Sequence, residues 1–177
     1  MPIGGASVTG ALGYVRAAQE LATQHSRIDL VVVADGSGGT HAGLVAGLGS
    51  HDRVLGVDVG TRPDLDEQDP QKATETARLA GLAEPEGKIQ IDHDRFGDGY
   101  GVPTDDCREA LDLAARLEGL VLDPVYSGKA MAGLIAARKE GRIERDTNVV
   151  FVHTGGMPAL FAATYADWIR ARPPSSS

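Results

Sequence analysis

The stretch Ile28-Asp-Leu-Val-Val-Val-Ala-Asp-Gly-Ser-Gly-Gly-Thr-His-Ala-Gly-Leu44 decides the fold. Residues 28–34 are apolar and β-branched nearly throughout, the pattern of a strand covered on both faces in a parallel sheet. Gly36, Gly38 and Gly39 follow, with Ser37 and Thr40 between and after them, and residues 41–49 then read as a helix. A buried strand feeding a glycine-rich turn and a helix is the unit of a doubly wound α/β fold, which binds ligands at the carboxyl ends of its strands.

The same alternation runs outward in both directions. Residues 53–59, 88–92, 119–123 and 148–153 read as strands. Residues 10–24, 69–82, 104–117, 128–140 and 157–170 read as helices. Leu12, Val15, Ala18 and Ala22 share one helical face, as do Phe161, Thr164, Tyr165 and Trp168. Thr104 ahead of Asp105 and Asp106 is an N-cap with two carboxylates at the positive end of the helix dipole. The expectation is one α/β domain over 1–172, a doubly wound parallel sheet, with 173–177 a frayed tail.

Composition agrees and excludes several functions. A chain of 177 residues suits one domain, since a domain of about 150 residues buries roughly 68–70% of its unfolded surface. With 17 Lys+Arg against 25 Asp+Glu the net charge is −8, so the phosphate-driven attraction behind nucleic-acid binding is missing. No apolar run reaches the roughly 18 residues of a spanning helix, and Met1-Pro2-Ile3 opens no signal peptide. Cys107 is the lone cysteine, which places the chain in a reducing, cytoplasmic setting.

Four loops carry the candidate chemistry. The strongest is 35–43, where backbone N–H groups and the helix N-terminus converge on an anion and Ser37 and Thr40 add hydroxyls. The alternative is a glycine-rich turn that only packs. A dinucleotide site would use Asp58 on a ribose, but His41 stands where that fingerprint needs a small residue. The P-loop and nucleophile-elbow patterns are absent, and the five histidines lack metal-ligand spacing. The other loops present Tyr100 between glycines, Tyr126 and Ser127 after 119–123, and Thr154 after 148–153. Two tyrosines beside an anion loop suit a flat ligand with a phosphate arm.

Pro2-Ile-Gly-Gly-Ala-Ser7 with Gly10-Ala-Leu-Gly-Tyr14, Gly36-Ser-Gly-Gly-Thr-His-Ala-Gly-Leu44, Asp123-Pro-Val-Tyr-Ser-Gly-Lys-Ala130 and His153-Thr-Gly-Gly156 form one ordered series. It resembles the D-cysteine desulfhydrase and 1-aminocyclopropane-1-carboxylate (ACC) deaminase family, pyridoxal-phosphate enzymes of the tryptophan-synthase-β-like fold. The resemblance implies that Gly36, Ser37, Gly38, Gly39 and Thr40 hold the phosphate of pyridoxal 5'-phosphate. It places Tyr126 against the pyridine ring, Tyr100 near the substrate as acid/base, and Thr154 near the ring nitrogen. Ser127 falls where the ring-opening deaminases have a glutamate and the desulfhydrases a hydroxyl. A serine is a weak partner for a protonated ring nitrogen, which suits β-elimination of D-cysteine or a related amino acid.

Two departures stand out. Asp35 puts a carboxylate just before the phosphate loop, where it repels the anion unless turned away. The family's cofactor-bearing lysine lies in an amino-terminal segment that this sequence does not contain. Lys72, Lys88, Lys129 and Lys139 are the four lysines. Lys72 and Lys88 are expected to be solvated, Lys139 sits among charges, and Lys129 matches a residue additional to the catalytic lysine. The expectation is the large-domain portion of such a lyase, inactive alone. The alternatives are an ACC-deaminase-like enzyme, a non-catalytic or split-enzyme subunit, and a dinucleotide-binding domain. Expected partners are a small amino-acid substrate and either a second copy in a homodimer or a chain carrying the amino-terminal half.

Overall fold

The computed structural model describes residues 6–171; residues 2–5 of the first motif and the tail 173–177 lie outside them. In chain order the elements are α1 (Val8–Gln24), β1 (Leu30–Asp35), α2 (Gly39–Leu48), β2 (Val54–Asp58), α3 (Leu65–Leu79) and β3 (Gln90–Asp92). After them come α4 (Asp105–Glu118), α5 (Ser127–Lys139), β4 (Val149–Val152) and α6 (Ala163–Arg170). The four strands form a parallel sheet in the order β3-β2-β1-β4.

β1 shows why its sequence is apolar throughout. Val31 and Val33 pack with Ala42, Leu44 and Val45 of α2 and Ala18 of α1, while Leu30 and Val32 pack with Ala130 and Ala137 of α5. Alternate side chains over 30–33 thus enter cores on opposite faces, and the strand turns polar only at its end, in Asp35. From β1 the chain winds outward to β3, then returns to lay β4 on the far side of β1. The loops after β1 and β4 therefore part in opposite directions, and the crevice at that reversal is where such sheets bind ligands.

Thr104 caps α4 as its sequence predicts, accepting from the Cys107 N–H at 3.2 Å. Two expected elements are corrected. Residues 119–123 form no strand: the Gly119 and Leu120 N–H groups bond back to α4, the Val121 carbonyl meets His153 Nε2, and Asp123 opens a local turn. The Asp123 carboxylate accepts from the N–H groups of Val125, Tyr126 and Ser127, and the Asp123 N–H donates to Ser127 Oγ. Leu120 and Val121 stay exposed as a result. The single helix expected over 157–170 is a 3-10 turn, Met157–Phe161, broken from α6 at Ala162, which has extended backbone. Phe161, expected on the buried face, is 81% exposed. Trp168 instead stacks under the Arg108 guanidinium, 4.2 Å from its ring centroid.

Candidate functional site

The loop from β1 to α2 is held from behind. Thr61 Oγ1 donates to the Gly36 carbonyl at 2.6 Å and Lys72 Nζ to the Ser37 carbonyl at 2.7 Å. Across a trans peptide the C=O and the following N–H point opposite ways, so the Ser37 and Gly38 N–H groups face away from these anchors. The first N–H groups of α2 have no acceptor within the helix and add to the same positive field. Gly38 has φ 77°, and a Cβ there would collide with Asp69 Oδ1. Only glycine fits that position.

The loop walls a cavity of about 770 Å³, within the usual range for small-molecule sites. Gly36, Ser37, Gly38, Thr40, Tyr100, Tyr126 and Thr154 all line it, joined by Thr61 and Arg62 from the segment after β2 and by Gly155 and Gly156. Residues drawn from five separate stretches thus meet at the strand reversal. Gly39 is not among the lining residues but lies against Ala6, which is. Ser127, expected at the ring nitrogen, is 1% exposed and does not reach the cavity. Its hydroxyl donates to Asp123 Oδ1 at 2.6 Å, because the turn that starts α5 needs it there.

The two cavity tyrosines form a pair. Their hydroxyls hydrogen-bond to each other and their rings meet edge to face, with centroids 5.8 Å apart. Burial, then the bond to Tyr100, raises the Tyr126 hydroxyl above its usual range, so it stays protonated at neutral pH. Each tyrosine is fixed by a buried polar group. The Tyr126 backbone N–H donates to the Asp123 carboxylate at 2.9 Å. Lys129, fully buried, donates to the Phe96 and Gly99 carbonyls at 2.8 and 3.1 Å and so pins the loop that carries Tyr100. Tyr165 adds a bond to the Gly101 carbonyl at 2.7 Å.

Asp35 borders the cavity, but its side chain is only 1% exposed. Its carboxylate turns inward and bonds His41 Nδ1 at 2.6 Å, and Asp69 lies beside them. Burial would raise Asp35, but the charge and hydrogen bond of His41 outweigh it and hold it low. Burial would lower His41, yet Asp35 raises it. Asp69 absorbs the strain: burial and then the Asp35 charge push it up to about 7. The three ligand atoms lie within 4.8 Å of one another, close enough for a small cation. Two cationic groups already serve that face, Arg62 at 3.0 Å and Lys72 at 3.6 Å from Asp69 Oδ1.

Lys72, expected to be solvated, is thus built into the support of the loop. None of the four lysines lines the cavity; Lys88 and Lys139 are exposed. The dinucleotide reading fails on Asp58, which is 3% exposed and spends its oxygens on the Gly60 N–H at 2.7 Å and His93 at 3.0 Å. Sequence reasoning missed Thr61, Arg62, Asp69 and Asp123. An Asp-Pro pair with a serine four residues on was a readable turn signal for Asp123; the others carry none, since their partners are distant in the chain.

Solved structures share this fold. One described as an ACC deaminase homologue is 36% identical, with a TM-score of 0.84 over 96% of this chain. A pyridoxal 5'-phosphate-dependent aspartate racemase at 16% identity (TM-score 0.52, 83% of this chain) and a serine racemase from Dictyostelium discoideum at 17% (TM-score 0.50, 83%) share the fold. This chain covers 52%, 49% and 50% of those three chains, so it spans about half their length. A family profile described as pyridoxal-phosphate dependent enzyme matches residues 2–155. The chain belongs to the family of pyridoxal-phosphate-dependent enzymes.

Proposed function

We propose that this chain forms the cofactor cradle of a pyridoxal-phosphate-dependent lyase that performs β-elimination on D-cysteine or a related β-substituted amino acid. The residues fit the cofactor. A glycine loop with its carbonyls tied back suits the phosphate, and Tyr126 and Thr154 stand on the wall of the same cavity. When bound, pyridoxal phosphate supplies an electron sink to the carbon that bears the amino group.

One observation favours elimination over ring opening. Among the described residues the one acid on the cavity wall is Asp35, whose side chain is 1% exposed with Oδ2 bonded to His41 Nδ1 at 2.6 Å. No carboxylate is therefore offered to strengthen the sink, and the substrate must bring a leaving group that departs with its own electrons. In such a reaction a base supplied from outside this cavity wall takes the Cα proton, and the Cα–H electron pair becomes the Cα=Cβ bond. The Cβ–S pair leaves with sulfur, which takes up a proton as hydrosulfide or hydrogen sulfide. The remainder hydrolyses to pyruvate and ammonia. Tyr100, half exposed and bonded to Tyr126, holds a phenol proton in the cavity for the departing sulfur.

A second reading, a subunit that completes its site with another chain, is favoured by the lack of any lysine on the cavity wall. One experiment covers both. The pure chain, given pyridoxal phosphate and D-cysteine, should release no pyruvate and acquire no borohydride-stable label on a lysine. Co-expression with the product of the adjacent upstream reading frame should yield pyruvate and sulfide, with little 2-oxobutyrate from ACC. Faster 2-oxobutyrate release would overturn the elimination reading. A stoichiometric label on one of the four lysines would overturn the inactive-alone reading.

A further inference from the structure

We infer that Asp69 is a positioning residue for the phosphate group: it holds Arg62 at the cavity wall and Lys72 behind the glycine loop. The inference rests on the cofactor reading above and asks what makes the loop a rigid anion site. Asp69 is 1% exposed and stands on α3, some 30 residues beyond the loop it touches. Its Oδ1 occupies the space that a side chain at residue 38 would need, so the carboxylate forms the floor of the loop at Gly38. The same oxygen receives Arg62 Nη2 at 3.0 Å and lies 3.6 Å from Lys72 Nζ.

Each cation then reaches the anion site by a separate route. Arg62 lines the cavity, the one Lys or Arg side chain among the described residues that does so. Its Nε lies at ion-pair distance, 3.2 Å, from Asp64 Oδ1, with no hydrogen bond between them. Lys72 does not enter the cavity. It donates to the Ser37 carbonyl and thereby fixes the direction of the next N–H. Without Asp69, Lys72 would lose its buried counter-charge and Arg62 would be free to swing into solvent. Behind Asp69 lie Asp35 of β1 and His41 of α2, and His51 lies near enough to His41 to feel its charge. The loop is thus backed by two carboxylates, two histidines and two permanent cations.

Charge and position predict opposite signs, which makes the inference testable. Above about pH 8, where Asp69 with its pKa pushed up to about 7 is ionised, Asp69→Asn removes a negative charge close to the phosphate, and on charge alone it should tighten binding. If Asp69 acts through Arg62 and Lys72, binding should weaken by about tenfold, the loss of one charge-assisted contact. The experiment is calorimetric titration of the chain with pyridoxal phosphate, with pyridoxal (which lacks the phosphate) as the internal control. The expected result is about tenfold weaker pyridoxal phosphate binding in Asp69→Asn and unchanged pyridoxal binding.

Arg62→Gln and Lys72→Met, at more exposed positions, should show the same selective loss. The Asp69→Asn/Arg62→Gln double variant should lose far less than the product of its parents. If Asp69→Asn does not fold, the two cation variants decide, and no phosphate-selective loss in either overturns the inference. Equal losses for both ligands would mean a general structural role and would overturn it, as would unchanged or tighter binding. A wild-type chain that does not prefer pyridoxal phosphate to pyridoxal would overturn the cofactor reading itself.

Discussion

Asp123, itself fully buried, accepts from three backbone N–H groups and the Ser127 hydroxyl, with only the Tyr126 bond partly open to solvent. Each buried donor left without an acceptor costs about 1–3 kcal/mol. Asp123→Ala should therefore lose about 3–5 kcal/mol of stability in urea unfolding, even though Asp123 does not line the cavity. A loss below about 1 kcal/mol would mean that water or neighbouring groups replace the carboxylate. At this scale the sequence was informative where residues act through their own backbone. Gly36, Ser37, Gly38, Thr40, Tyr100, Tyr126 and Thr154 were readable as loop residues, and the structure gathers them at one cavity. The inward turn of Asp35 and the task of Lys72 were not readable, since His41 and the Ser37 carbonyl become their partners only once the sheet has formed.

α1 and α2 pack closely because α2 presents Gly43 to the backbone of α1. A Cβ on Gly43 would collide with the Ala11 carbonyl oxygen and come within 2.6 Å of Tyr14 Cβ. In an exposed helix the change from Gly to Ala gains about 1 kcal/mol. Here the clash dominates, and overpacking of this kind costs about 1–3 kcal/mol. Gly43→Ala should lower the urea midpoint, and a raised midpoint would show that the helices can separate freely. Most elements were legible because a strand covered on both faces leaves an unbroken apolar run. The two misreadings share one physical cause: local polar contacts or chain breaks override pattern. The apolar run 119–122 ends in the Asp123 turn, and the periodicity of 157–170 crosses the extended backbone at Ala162.

The order β3-β2-β1-β4 gathers the loop after β1, the segment after β2, the two tyrosines and residues 154–156 into one crevice. That convergence was legible only as an expectation of fold class, because strand order depends on how the chain winds and not on any one segment. It gives the whole molecule its central feature, a cavity walled by a glycine loop and two paired tyrosines, with none of the four lysines on its wall. On the function proposed above, the cavity recognises the phosphate arm of the cofactor and not its aldehyde. Comparative calorimetry of pyridoxal phosphate and pyridoxal against the wild-type chain tests this most directly. The account predicts that pyridoxal phosphate binds at least about tenfold more tightly, a difference of roughly 1.4 kcal/mol or more. Equal affinity for the two would contradict it.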